Sequence, residues 1–262
     1  MTFDTQKYWN ERLTNRFDLV GVGDISQTSN YNKWSYKITH HVLNKTFKQC
    51  LKQHENKSVL DIGSGTGFIV NIWKGLTMNI SGVDIAEVSI KNLSRTYPNY
   101  TFRQCNVGAE SLPFVDGSFS CCSAASVLYH IVDDVLLTNA LKEVNRVLEP
   151  GGHFIFSDNF IHSNSLNITH QKCRTLEEYE NMVKAAGFEI ISRSPNYILF
   201  NDPVDCTNKY LRKLWALHTG YSKKYKWFDK FIWPFLFPLE IFLTSIMKES
   251  PAQEIMVCRA IK

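Results

Sequence analysis

The residues best suited to chemistry lie between Asp61 and Asp84. Asp61 is followed by glycines at every second position, Gly63, Gly65 and Gly67, with Ser64 between the first two. Glycine admits positive φ and carries no Cβ, so a ligand can lie directly on the backbone. A helix opening at Phe68 adds unpaired N–H groups and the positive end of its dipole, both favourable to an anionic group. Asp61 adds the opposite preference at the same turn. The pair suits a zwitterion, such as an amino-acid end with its ammonium and carboxylate. A second carboxylate, Asp84, closes the apolar run Ile80–Ile85, where it can accept both hydroxyls of a ribose.

The spacing separates this turn from two others. A P-loop requires Gly-Lys-Ser/Thr, and no lysine follows Gly67. The dinucleotide turn reads G-x-G-x-x-G, whereas here Phe68 stands where its third glycine belongs. Asp61-x-Gly63-x-Gly65-x-Gly67 together with Asp84 closely resembles the class I S-adenosylmethionine-dependent methyltransferases, and the resemblance continues well beyond these residues. It implies S-adenosyl-L-methionine as cofactor, S-adenosyl-L-homocysteine as product and no metal. It also implies an α/β fold: a Rossmann-like, doubly wound, seven-stranded sheet with its last strand antiparallel.

The same resemblance assigns further cofactor residues. Ile85 and Val107 would sandwich the adenine. Asn106 stands where the family usually has an acidic residue, and its side-chain carbonyl can still accept from the adenine amine. The backbone at Ala125 and Ser126 would border the cofactor at the carboxyl edge of the sheet, where open α/β sheets bind ligands.

A sulfonium methyl is already activated, so the protein must align a nucleophile and exclude water. A base is needed only for an acceptor that starts protonated. His130, just past the fourth strand and beside Tyr129, is the first candidate; its ordinary pKa near 6.5 suits a base, and a packed structural role is the alternative. His162, beyond the fifth strand, is the second candidate, and His170 shares that edge. No His/Cys/Asp cluster has metal-ligand spacing along the chain.

These residues need a scaffold, and alternating strand and helix patterns supply one from Ser58 onward. Strands are expected at 58–62, 80–84, 100–106, 119–125, 153–158, 188–200 (with a break at Pro195 as the alternative) and 254–261. Helices are expected at 67–75, 86–97, 134–148 and 176–186. The last begins at the N-cap Thr175 and ends at Gly187. Glu149-Pro150-Gly151-Gly152 reads as a tight turn. The vicinal Cys121 and Cys122 should face opposite sides of their strand.

Two segments lie outside that alternation, and the chain reads as one domain, 1–262. Residues 1–57 form an N-terminal helical cap. Within it Tyr31, Trp34 and Tyr36 could line an acceptor pocket or simply anchor a helix, and with Tyr129 they are the substrate-contact candidates. The cofactor core is 58–200 plus 254–262. Residues 201–253 form an insertion that emerges on the ligand edge, as a lid or an acceptor-pocket wall; loops this long are usually functional.

Within the insertion, seven cations against Asp229 give a net +6 over 207–230, more than the +4 of all 262 residues. An aromatic segment, 227–247, follows. Two prolines and Glu240 exclude a clean membrane span. These aromatics could pack on residues 1–54, and segment 207–247 could make a peripheral membrane contact; the two readings are compatible.

Composition bounds the rest. Hydrophobic residues make up 44% and charged residues 21%, as in globular chains. Seven cysteines without C-x-x-C and no apolar leader at the start suggest reduced thiols and a cytoplasmic protein. The net charge is too small to imply nucleic acid. The sequence therefore reads as an S-adenosylmethionine-dependent methyltransferase acting on a small-molecule acceptor, apolar or lipid-like in kind. The atom methylated and the oligomeric state are not legible. The alternatives are a non-catalytic cofactor-binding protein at a membrane surface and an NAD-dependent oxidoreductase.

Overall fold

A computed structural model describes residues 3–163, 165–168 and 170–262. Three N-terminal helices come first: α1 (Thr5–Asn15), α2 (Leu19–Val22) and α3 (Ser29–Leu51). Each starts at a capping side chain. Asp4 accepts from the Lys7 N–H, Asp18 from Val20 and Gly21, and Thr28 from Tyr31, so donors that the first turn leaves free are satisfied.

The alternating part follows: β1 (Ser58–Ile62), α4 (Phe68–Lys74), β2 (Asn79–Asp84), α5 (Glu87–Thr96), β3 (Thr101–Gln104) and β4 (Phe119–Ala125). A single 3-10 turn spans Leu128–His130, before α6 (Asp134–Val147) and β5 (Leu148–Asp158). A small hairpin, β6 (Leu166–Ile168) and β7 (Gln171–Cys173), leads to α7 (Leu176–Ala185) and β8 (Phe188–Pro195). The chain ends with α8 (Lys209–Lys224), α9 (Lys226–Ile246) and β9 (Glu254–Ala260).

Seven strands form one sheet in the order β3-β2-β1-β4-β5-β9-β8. β9 runs antiparallel to both neighbours, β5 and β8, while the pairs among β1–β5 are parallel. This is the doubly wound topology with an antiparallel last strand. Strand order reverses between β1 and β4, so a crevice opens beyond their carboxyl ends.

The central strands are buried on both faces and alternate between two cores. Leu60, Ile62, Cys122, Phe154, Phe156 and Met256 point to the α6–α7 side. Val59, Cys121, Ile155 and Val257 point to the other side, with Phe47 and Trp73, whose rings stack at 3.9 Å. Cys121 and Cys122 thus take opposite faces, as period two requires.

Three local expectations change. β8 ends at Pro195 and not at 200, because the Asn196 and Tyr197 N–H groups both turn to the Gln253 carbonyl. The 149–152 segment is the start of β5, with the ladder irregular between Phe119 and Cys121 and the left-handed Gly151 absorbing the bend. The β6–β7 hairpin has no counterpart in the sequence reading.

The insertion is a helical hairpin. Its inner face packs on α3: Trp233, Leu236, Phe237 and Ile241 meet Tyr31, Trp34, Ile38 and Phe200. Buried Glu240 accepts the Ile198 and Leu199 N–H groups at 2.7 and 2.8 Å. Asp229 accepts from Thr28, Ser222 and Trp233, tying α3, α8 and α9 together. The outer face is bare. Tyr210, Leu214, Leu217 and Tyr221 of α8 are exposed, as are Trp227, Phe231, Phe235, Leu239, Phe242 and Ile246 of α9. Pro234 and Pro238 lie inside α9 without ending it.

Candidate active site

The glycine turn is shaped from below by β2. The Val83 carbonyl accepts from the N–H groups of Gly63 and Ser64 at 2.8 and 3.0 Å. Gly63, Gly65 and Gly67 have φ of 70°, 49° and 86°, the left-handed region that glycine alone enters freely. A Cβ on Gly63 would lie 2.4 Å from the Val127 side chain, so the turn also meets the β4 exit at contact distance.

Asp84 joins the two halves. Its Oδ2 accepts the Gly65 N–H at 2.7 Å and its Oδ1 accepts the Ala86 N–H at 2.8 Å. Burial raises its pKa to about 6, against the lowering effect of those donors. Asp61 sits deeper. Its Oδ1 accepts from Ser123 Oγ at 2.7 Å, and Ser123 Oγ in turn accepts from Trp73 Nε1 at 2.9 Å. Its Oδ2 has no partner among the described residues, and burial pushes its pKa up to about 7.

A cavity of about 930 Å³ opens over this turn. On its wall stand Gly63, Ser64, Gly65, Asp84, Ile85, Asn106, Val107, Ala125 and Ser126, with Tyr31, Tyr36, Tyr129 and His130. The remaining sequence-selected residues lie elsewhere. Asp61 and Gly67 are not on the wall: Asp61 is committed to Ser123, and Gly67 packs towards Leu93 and Tyr97 of the α5 side. Trp34 packs on Phe237 at 5.3 Å, with the Lys37 ammonium 3.7 Å from its ring centre. His162 is exposed and held by Asp205, whose carboxylate takes both its N–H and its Nδ1, at 2.7 and 2.6 Å. The insertion reaches the cavity only through its roots, Asn201, Asp202, Val204 and Gln253; among the described residues, neither α8 nor α9 lines it.

His130 is on the wall and partly buried. Its Nδ1 lies 3.1 Å from the His170 carbonyl. A carbonyl can only accept, so Nδ1 carries the proton and Nε2 is the free acceptor. Trp9 meets the ring edge-on at 5.0 Å. Burial lowers the His130 pKa to about 4, so the imidazole is neutral near pH 7.

Several wall residues escaped the sequence reading. Arg12 fastens the N-terminal helices across the opening: its guanidinium donates to the carbonyls of Gly21 and Gly23 at 2.6 and 2.5 Å, and to the Tyr8 hydroxyl at 2.7 Å. Gln253 donates to Ser126 Oγ at 3.0 Å. Asn159 faces the cavity with its buried Oδ1 unpartnered among the described residues. None of the three falls in a motif, and Gln253 reaches Ser126 across 127 positions.

One further cluster lies towards the opposite edge of the sheet. The ligand atoms of His54, Cys121 and His153 fall within 4.8 Å of one another. They come from the α3 exit, β4 and β5, so spacing along the chain could not reveal them. His54 also pairs with Glu149 and hydrogen-bonds His153, at 2.8 and 2.7 Å, which gives each imidazole a partner without an ion.

Comparison with known proteins agrees with this geometry. Residues 60–156 match a family model described as a methyltransferase domain. A probable S-adenosylmethionine-dependent methyltransferase of Mycolicibacterium smegmatis is 25% identical over 184 residues, covering 68% of each chain. A ubiquinone/menaquinone biosynthesis C-methyltransferase of Hahella chejuensis is 36% identical over 107 residues, covering 37% of this chain and 41% of that protein. The chain thus spans less than half the length of that quinone-pathway relative. Among solved structures, a methyltransferase-like protein from Bacillus halodurans superposes with a TM-score of 0.54 at 17% identity, over 84% of this chain and 99% of that one. That likeness shows the fold.

Proposed function

We propose that the chain is a class I S-adenosylmethionine-dependent methyltransferase, a reading supported by the methyltransferase-domain match over residues 60–156, and that it methylates a small apolar acceptor held in the cavity. The observation that carries this reading is the Gly65–Asp84 hydrogen bond on the cavity wall at the strand-order switch. It joins an open backbone turn to a carboxylate suited to a ribose.

The residues present fit the cofactor. Each Asp84 oxygen accepts one backbone N–H and retains a further lone pair for a hydroxyl. Ile85 and Val107 flank the expected place of the adenine, with the Asn106 amide beside them. The unpartnered Asp61 Oδ2 is an open acceptor behind the turn, suited to an ammonium N–H. When bound, the cofactor would supply an activated sulfonium methyl.

The protein's part is to position and to dry. Trp9, Tyr31, Tyr36, Tyr129 and Tyr197 frame the acceptor space with aromatic surface, which suits an apolar ring better than a charged metabolite. Neutral His130 takes the acceptor's proton at Nε2 as the new bond forms. The quinone-pathway relative supports an acceptor of this kind. Outside 207–230 the chain is on balance slightly acidic, which argues against nucleic acid as the acceptor. Free cysteines, six of the seven buried, fit a cytoplasmic protein.

The test is calorimetric titration with S-adenosylmethionine, S-adenosylhomocysteine and NAD. Next comes incubation with methyl-labelled cofactor and a source-cell extract, with products partitioned between organic and aqueous phases. Binding of the first two ligands but not NAD, with label in the organic phase, is expected. Failure to bind either adenosyl ligand overturns the reading, and label confined to the aqueous phase overturns the apolar acceptor.

A further inference from the structure

The α8–α9 hairpin has two apolar faces, and α3 covers only one of them. The bare face is large: Tyr210 is 86% exposed, Trp227 66% and Phe235 78%, and their neighbours at three- and four-residue spacing continue both stripes. A contiguous apolar surface of this extent is unusual on a lone soluble chain and marks an interaction site.

We propose that this face rests on an anionic lipid surface. Charge selects that partner. Lys223, Lys224, Lys226 and Lys230 gather where the two helices meet, beside Trp227 and Phe231, and all four lysines are exposed. The only acid in 207–230 is Asp229, and it is turned inward onto Thr28, Ser222 and Trp233. Cations flanking exposed aromatics match the boundary between anionic headgroups and acyl chains. A second copy of the chain fits less well. An interface repeated about a twofold axis would set one basic rim against its equal.

The hairpin lies on the surface and does not cross it. Among the described residues no helix is long and apolar enough to span a membrane. Its roots, Asn201, Asp202 and Val204, are cavity wall, so an acceptor dissolved in the lipid would meet the opening close to where it leaves the bilayer. The lipid contact does not depend on methyl transfer, and it is read out without activity.

The test is flotation of the full chain with phosphatidylcholine vesicles, alone or mixed with phosphatidylserine. Flotation is expected with the mixed vesicles and should weaken as salt rises. The variant Lys223→Glu/Lys224→Glu/Lys226→Glu should lower the partition coefficient on the order of a hundredfold. A second variant, Trp227→Ser/Phe231→Ser/Phe235→Ser, alters only exposed side chains; it should keep the thermal melt and lose flotation. A wild-type chain that floats with neither vesicle, or variants that float like wild type, would overturn the proposal. So would a concentration-dependent dimer in the ultracentrifuge that the aromatic variant abolishes while no flotation occurs, since that assigns the face to a second copy.

Discussion

Gln253 donates from its Nε2 to the Ser126 hydroxyl at 3.0 Å, and Ser126 is the one non-glycine residue with positive φ, 59°, among the described residues. The lead-in to β9 therefore steadies the strained tip of β4 from 127 positions away. Asn196 anchors the other end of the Gln253 amide, donating to Oε1 at 2.7 Å. Holding a residue in that region costs on the order of 1–3 kcal/mol, which surrounding contacts must offset.

From this contact follows the first prediction. Gln253→Ala should leave the fold intact and weaken cofactor binding about tenfold, because the Ser126 backbone on the wall loses its brace. Titration calorimetry measures it; wild-type affinity in the variant would show that β4 holds the tip unaided.

Asp84 is the sharper test of the cofactor site. Asp84→Ala leaves the Gly65 and Ala86 N–H groups without their acceptor and would remove the proposed ribose contact. A loss of about 1–3 kcal/mol in S-adenosylmethionine binding is expected. Unchanged binding in a folded variant would remove the cofactor assignment.

Three buried carboxylates make the ligand-free protein sensitive to pH. Burial raises Asp61 and Asp158 to about 7 and Asp84 to about 6, above the unfolded value near 3.9. The folded state therefore holds protons that the unfolded state has released, and these groups lower stability as pH rises from about 4 to about 7. Asp61→Asn should remove part of that slope and raise the melting temperature above pH 7. Parallel melting curves for wild type and variant across that window would refute the assignment.

His130 should act without titrating in the usual range. With its pKa lowered to about 4 by burial, the imidazole is already neutral at pH 5.5. Turnover should then show no rise between pH 5.5 and 7.5 attributable to this group, and His130→Gln should lose on the order of a hundredfold in kcat. A loss below tenfold would make the histidine a packing residue held between Trp9 and the His170 carbonyl.

What the sequence made legible was local. Gly63, Gly65 and Gly67 announce their turn because φ preference is a property of single residues, and Asp84 follows because β2 must end beside β1. The strand–helix alternation carries the sheet for the same reason. What stayed hidden depends on packing between distant segments. Trp34 looked like a pocket residue until Phe237 took its face. His162 looked catalytic until Asp205 drew it away. Pro234 and Pro238 do not break α9, since tertiary packing of Trp233 and Glu240 outweighs their local cost. The insertion read as packed, lipid-facing or both; its inner face packs on α3, and its outer face is exposed.

The place of β9 has a consequence for assembly. β8 pairs with β9 and with no other strand among the described residues, yet β9 comes only after the whole 196–253 excursion. β8 therefore cannot join the sheet in chain order. It must wait until the hairpin has closed on α3 and returned the chain to the gap beside β5. Closing so long a loop is entropically slow and precedes its reward. The α8–α9 hairpin thus also times the completion of the sheet, and weakening its dock at Glu240 should delay the last two strands together.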